Sequence, residues 1–462
     1  NTVTITGGTL HDVYGGFAAS GKTTGNTVNL GDENNAVAAG TTLGTLYGGS
    51  KADDVSGNTL NINSRDTQAT DIKNFDTVNF DAAHNVSRGD TLLRLTNGAA
   101  TSLDWGKMNL RNFDSLTASA TTDRILTLID STNDVTFTNY DAARAKEVKT
   151  DGDYEYVLNT DNESDHAKKV DVTGYRFANN KPAYSAGSDT EAWGGRTKLG
   201  NKVENNTLKV TGGTLTTAAY GGLVENRAGD GAGGYKTTGD AAGNTLNLEG
   251  GTVQNAYGAD VRTKDGSAAG NTVDLKGAVV TGSLYAGALN ATSNAVNLYS
   301  GTVAGDVYAG YSSGSGAVTG NTVTIGDGAN DASVTVTGTL YGGNKAALTG
   351  NTLDIRSKGA SVGSIRGFET IKFRLDANIV DGADLLTLTQ DTHLACGSIE
   401  KPAAETVTAW LGNAMKKNLH FFRMATGKTL TLDGYTPVTS SERSGDVEYN
   451  FLTDNNEAAT TG

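Results

Sequence analysis

Few strings in this chain resemble chemical machinery, and each has a plainer explanation. Gly310-Tyr311-Ser312-Ser313-Gly314 matches the sharp strand-to-helix turn that exposes a nucleophilic serine. That turn needs a following helix and a histidine base. No helical pattern follows here and no His lies near in sequence, so the string reads as an incidental corner. Gly229-Asp230-Gly231-Ala232-Gly233-Gly234 has the glycine spacing of a dinucleotide-binding turn. It lacks the flanking strand and helix that would aim backbone N–H groups at a pyrophosphate, so it reads as loop. Loops opening at Asp32 and Asp327 offer carboxylates without the ligand spacing of a calcium loop. Arg88, Gly89 and Asp90 form an integrin-type tripeptide, kept as the one speculative binding site beside its plain reading as a turn. Five His stand far apart, at 11, 84, 166, 393 and 420, and Cys396 is the only cysteine. Neither an intrachain disulfide nor a multi-cysteine metal site follows from such a set. No catalytic, cofactor-binding or metal residue is assigned, and a non-enzyme without cofactors is expected.

Composition narrows the partners. The net charge of −14 repels a phosphate backbone, so nucleic acid is not expected as a partner. No apolar run reaches the roughly 20 residues of a membrane-crossing helix. Gly is 61 of 462 residues and Pro only 3, which excludes collagen. The hydrophobic residues make up 37% and recur periodically, unlike those of a disordered linker. The chain opens at a repeat start without Met or a signal region, as a piece of something longer would.

What positions the residues is a repeat. A pentapeptide of Asn, Thr, Val or Leu, a polar residue, and Ile, Leu or Val begins at Asn1, Asn26, Asn58, Asn206, Asn244, Asn271, Asn294, Asn321 and Asn351. Ala295 replaces Thr once. Alternation with period two over five residues predicts a half-buried strand. A Tyr followed by Gly or Ala comes next, at Tyr14, Tyr47, Tyr220, Tyr257, Tyr285, Tyr308 and Tyr341. A Gly-x-Thr-Val/Leu segment lies between, as at Gly8-Thr9-Leu10. A unit this short holds three strands and corners but no crossover helix. Stacking such units predicts a parallel β-helix, one coil per unit, with about 4.8 Å between strands. Aliphatic positions then form inward columns, and Asn can form an amide ladder. Tyr forms an aromatic ladder facing either core or solvent. The fourth pentapeptide position varies among Thr, Asn, Lys and Asp, so no flat threonine array of an ice-binding kind results. From each Tyr-Gly-Gly to the next Asn the spacer is 9, 8, 21, 11, 6, 10 and 7 residues. Insertions therefore collect at one corner, and a loop ridge is where a repeat protein often binds.

A longer duplication overlies the first. Ile72 through Phe80 returns as Ile365 through Phe373, and Leu92-Leu93-Arg94-Leu95 as Leu385-Leu386-Thr387-Leu388. The expected organisation is coils over 1–96, closing a first module, and coils of a second module over 206–396. Segments 97–205 and 397–462 break the pattern and read as irregular coils or β subdomains.

These Gly-Asn-Thr-Val, Val-Tyr-Gly-Gly and Phe-Asp-Thr-Val segments resemble the passenger regions of Gram-negative autotransporter (type V secretion) adhesins, over about residues 1–96 and 206–390. The resemblance implies a right-handed parallel β-helix on the bacterial cell surface, exported through the outer membrane. Its only membrane connection would be a C-terminal barrel absent from this sequence. A near-absence of cysteine suits that route. Adhesion to a host-cell protein or glycan, or to the same protein on another cell, is the expected function. Two alternatives stay open. A β-helical polysaccharide lyase or hydrolase would need paired carboxylates in a cleft, about 5–9.5 Å apart if a glycosidase. A phage fibre or structural spacer would trimerise.

Overall fold

The computed structural model describes residues 1–113, 124–140, 148–176, 181–197, 202–225, 239–345 and 349–435, Leu116, and the strands Glu442–Ser444, Val447–Tyr449 and Ala459–Thr461. Positions 33, 38, 85, 98, 100, 152–153, 163, 264, 376–378, 401, 403, 413 and 415–416 fall outside the description. The fold is all-β with most strands parallel. It divides into two compact units, one within Asn1–Phe177, the other within Ala178–Asn226 and Thr237–Gly462.

In the first unit the Asn-led pentapeptides become strands Thr2–Ile5, Thr27–Leu30 and Thr59–Ile62, joined in one parallel sheet by Thr77–Asp81 and Met108–Arg111. Pairing is in register, so Val28 lies against Leu60, Leu60 against Val78, and Val78 against Met108. All four are buried, and the residues between them alternate outward. The Gly-x-Thr-Leu segments pair separately, as Thr9–Leu10 against Thr42–Leu43 and that against Thr67–Ala69. The Tyr segments pair in a third sheet, Val13–Tyr14, Leu46–Tyr47 and Ile72–Lys73. Each repeat thus gives one strand to each of three sheets.

The later part of this unit turns antiparallel. Arg124–Thr138 still pairs parallel with Thr91–Leu95, then takes His166–Arg176 antiparallel on its other side. Tyr154–Thr160 and Val148–Asp151 continue that meander. Its inward residues Ile129, Phe137, Leu158 and Val172 join the unit's core, as does Trp105, which meets Phe137 edge-on at 5.2 Å.

In the second unit the same pentapeptides lie inside longer strands. Thr207–Val224 pairs parallel with Thr245–Val261, which pairs with Thr272–Val280 and with Leu284–Ala288. Leu208, Leu246, Val273, Val296, Val323, Leu353 and Ile371 form one buried column. A separate parallel sheet, Val203–Glu204, Ala241–Ala242, Ala268–Ala269 and Ala291–Thr292, runs just ahead of the Asn corners. Trp193 and the strand Ser188–Thr197 extend the parallel pairing upstream of Asn206, inside the stretch expected to break the pattern. Near the end of the chain comes an α-helix, Ala404–Leu411, whose Trp410 is buried and donates from Nε1 to Ile379 O at 2.7 Å.

The Asn residues form the expected ladder. Nδ2 of Asn206, Asn244, Asn271, Asn294 and Asn321 each donates to Oδ1 of the next at 3.0–3.1 Å. The corresponding backbone N–H donates to the same oxygen at 2.9–3.0 Å. Nδ2 of Asn271 also donates to Ala241 O at 3.0 Å. Both hydrogens and both acceptor sites of that buried amide are therefore used, the condition under which a polar group is tolerated away from water. Asn1, Asn26 and Asn58 repeat the pattern in the first unit.

Two kinds of backbone constraint surround the ladder. The residue before the Asn takes positive φ, at Gly243 (63°) and Gly270 (63°), and equally at Asn205 (56°) and Ser293 (55°). The corner therefore demands a left-handed backbone, and glycine is its easiest occupant. The second Gly of Tyr-Gly-Gly has a different task. A Cβ on Gly222 would lie 2.6 Å from Asn244 Nδ2, and one on Gly310 2.4 Å from Asn321 Nδ2. That glycine leaves room for the amide.

Replacing Asn271 with Ala should lower stability by about 2–4 kcal/mol, since buried donors of Asn244 and the Ala241 carbonyl lose their partner. A fall in the guanidinium midpoint with unchanged slope is the expected readout. Gly222→Ala should cost about 1–3 kcal/mol by overpacking, and distinctly less in an Asn244→Ala background. Equal costs in both backgrounds would refute the contact.

Candidate functional site

The aromatic residues of successive repeats come together as one column in the second unit. Trp193 is in register with Tyr220, and Tyr220 in turn with Tyr257, Tyr285, Tyr308 and Tyr341. The five tyrosine rings stack at centroid separations of 5.1, 4.9, 5.0 and 4.6 Å, with planes within 15°. Strand alternation decides which way they face. Ala219, Ala256, Leu284, Val307 and Leu340 precede them and point into the core, so the tyrosines point outward. Tyr257 through Tyr341 are half-buried by one another. Tyr220, at the Trp193 end, is buried. Tyr311, from the variable corner, packs edge-on against Tyr285 and Tyr308 at 5.6 and 5.3 Å.

Burial makes these phenols weak acids. The Tyr220 hydroxyl is pushed up to about 12, chiefly by burial, although Arg262 donates to it at 3.0 Å and works against the rise. Tyr308 is raised by burial and by the Asp306 carboxylate, to which its hydroxyl donates at 3.1 Å. Tyr257 and Tyr285 are also raised, again mainly by burial.

Charge gathers at both ends of the column. At the Trp193 end, the Arg196 guanidinium lies 4.4 Å from the indole and forms a two-point pair with Glu225 at 2.7 and 2.9 Å. Arg262 lies 2.9 Å from Asp260 there, and burial raises the Asp260 carboxyl against the pull of that cation. At the Tyr341 end, the in-register partner is Arg366 rather than an aromatic residue. A cleft of about 440 Å³ opens there, lined by Tyr308, Tyr311, Tyr341, Asn344, Lys345 and Arg366, with Gly343 and Gly367. Its described lining holds no carboxylate, imidazole or thiol, so it offers stacking, hydrogen bonding and positive charge.

The first unit carries a shorter version. Tyr14 and Tyr47 stack at 4.6 Å, Phe17 meets Tyr14 edge-on, and Lys73 takes the next position, 5.9 Å from the Tyr47 ring.

The strings singled out in the sequence lie elsewhere or do other work. Arg88, Gly89 and Asp90 sit on an exposed turn of the first unit. Gly89 has φ 91° and donates to Ile125 O, while Asp90 Oδ2 accepts from Ser87 N at 2.7 Å and faces Arg65 at 3.3 Å. Asp32 and Asp327 turn their Oδ1 atoms back on the backbone N–H groups of residues 34 and 35, and 329 and 330. Those bonds hold both carboxyls below the usual range. No group of three metal-capable side chains occurs among the described residues. Ser312 is buried, its N–H donates to Asn344 Oδ1, and its Oγ has no hydrogen-bond partner among the described residues, so none of them is paired with it as a base. Residues 229–234 lie outside the described residues. Sequence reasoning found the tyrosines but missed Trp193, Lys345 and Arg366. The signal was present, because the long duplication aligns Lys73 with Arg366.

Tyr220 gives the column a pH signature. Its folded value of about 12 exceeds the free value of 10.0, so its contribution to stability is complete below pH 10 and is lost as pH rises through 12. Unfolding free energy, measured by denaturant titration at stepped pH, should fall over that window, and Tyr220→Phe should flatten the fall. Phenolate absorbance should show the column titrating after exposed tyrosines. Protein-family models, curated proteins and solved structures were all compared with the chain, and none matches.

Proposed function

We propose that each unit is built from coils of a right-handed parallel β-helix, and that the chain is the surface-exposed passenger of an autotransporter-type adhesin. It would mediate adhesion to host cells, or bacterial self-association, through the long face and loop ridge of that helix. One observation carries the reading: successive repeats pair parallel and in register, each strand lying on its counterpart one repeat away, and the same outward residue types recur down a face. A surface of that kind repeats a weak contact many times, and repeated weak contacts sum to strong attachment by multivalency. The partner is a host-cell surface protein or glycan, or the same protein on another cell. A single cysteine suits a chain threaded unfolded through the outer membrane. The described lining of the tyrosine cleft supports binding without chemistry, since it holds no paired carboxylates.

Display on a non-adherent bacterium through a β-barrel anchor tests the proposal. Cells carrying the chain should sediment or attach to cultured host cells faster than cells carrying the anchor alone. Equal behaviour would refute it.

A further inference from the structure

We infer that the cleft at the Tyr341 end of the tyrosine column binds an acidic sugar, with a pyranose ring against Tyr341 and its carboxylate or sulfate held by Arg366 and Lys345. The inference deepens the binding role proposed above and rests on that reading.

Three observations carry it. The first is the free ring position. Every other tyrosine from Tyr257 to Tyr308 has an aromatic ring stacked on both sides, whereas Tyr341 has one only on the Tyr308 side. The C–H face of a pyranose is electropositive and flat, and an aromatic face is electronegative, so the two are complementary. The cleft's volume of about 440 Å³ suits one or two sugar rings.

The second is the state of Arg366. On a protein of net charge −14, Arg65, Arg94, Arg196, Arg262, Arg356 and Arg374 each meet a carboxylate. The exposed Arg366 guanidinium, like those of Arg111 and Arg423, has no ion pair or hydrogen bond among the described residues, and of the three only Arg366 lines the cleft. Lys345 lines the same cleft and spends one donor on Gly314 O at 2.5 Å, leaving others available. Asn344 is pinned by Ser312, accepting from its N–H at 3.0 Å and donating to its carbonyl at 2.9 Å, which fixes the floor. A guanidinium recognises a carboxylate or sulfate through two parallel bonds, and a neutral sugar offers it no such partner.

The third is the comparison with the first unit. There Lys73 follows Tyr47 in register as Arg366 follows Tyr341. Phe17 stands edge-on to Tyr14 as Tyr311 does to Tyr308. Lys51 donates to Gly21 O as Lys345 does to Gly314 O. One charge differs. Asp71 lies 3.9 Å from Lys73, whereas the equivalent place before Arg366 is taken by Ser364, whose hydroxyl bonds Thr392 at 2.9 Å. Loss of that carboxylate leaves the second unit's cation open to an outside anion.

The test is calorimetric titration of the whole purified chain with three hexasaccharides. One is from hyaluronan, carrying carboxylates only; one is heparin-derived and sulfated; chitohexaose is neutral. At least one acidic probe should bind about tenfold or more tightly than chitohexaose, and which one does so identifies the anion. Arg366→Gln and Tyr341→Ala should each weaken that binding about tenfold, Tyr341→Phe should retain it, and Ser364→Asp should weaken it by restoring the missing carboxylate. Circular dichroism of each variant separates lost binding from lost folding. Equal binding of chitohexaose, no binding of either acidic probe, or a folded Arg366→Gln variant that binds normally would each overturn the assignment. If displayed cells adhere while the chain ignores acidic sugars, the cleft assignment fails and the adhesin reading stands. If the chain binds them and displayed cells do not adhere, the adhesin reading fails and the cleft assignment stands.

Discussion

Parallel pairing in register places each residue on its own counterpart one repeat away, at the strand spacing of about 4.8 Å. The columns of the repeats follow from what tolerates that arrangement. Aliphatic side chains do, and they become buried columns such as Leu246, Val273, Val296 and Val323. Primary amides do, because each carries both donor and acceptor and can bond its copy. Aromatic rings do, since the spacing is close to a stacking distance. Like charges do not. The fourth pentapeptide position accordingly mixes types: Asn297 donates to Asp274 at 2.8 Å, and Lys372 lies in register with Asp354. In the first unit the same face runs as Asn29, Asn61, Asn79 and Asn109, a second amide ladder at 2.7–2.9 Å.

The parallel strands were legible in the sequence because their constraint is local and repeated. Nine Asn-led pentapeptides with inward third and fifth positions carry period two plainly, and all nine are strands. The amide ladder was legible for the same reason. The outward orientation of the tyrosines was not, because it depends on which of two faces packs inward, and spacing from the Asn does not say. Trp193 was missed because its repeat lacks the Asn-led pentapeptide that marks the others. The antiparallel meander from Arg124 to Arg176 escaped for a different reason. Its strands bury Ile129, Val172 and Leu158 through pairings that span tens of residues and contain register shifts, so no repeat announces them. The cationic cleft needed three-dimensional placement, since Tyr341, Lys345 and Arg366 come from a strand, a corner and the next coil's strand.

The two ladders stop on the same coil, in both units. Lys73 follows Tyr47 and Arg366 follows Tyr341, while three residues on, Asp76 and Glu369 occupy the places that Asn58 and Asn351 hold one coil earlier. A carboxylate accepts but cannot donate, so it ends an amide ladder. Asp76 instead accepts from Gly57 N at 3.2 Å, and Glu369 from Gly350 N. Beyond these positions the coils carry Phe80 and Phe373 in the core, and the thin glycine-rich pattern gives way. A cation and an anion thus mark the edge of each run of thin coils.

The amide ladder also has a direction. Each Nδ2 points toward the following coil and each Oδ1 toward the preceding one, so the side-chain dipoles add rather than cancel, and neighbouring bonds polarise one another. The string ends on Asn58 and on Asn351, whose Nδ2 atoms turn to the Asp54 and Val318 carbonyls, while Asp76 and Glu369 accept from the backbone N–H groups of Gly57 and Gly350 just before them. In the first unit the second string runs the other way, Asn61 donating back to Asn29 and Asn79 back to Asn61, so the two rows of amide dipoles on one set of coils oppose each other.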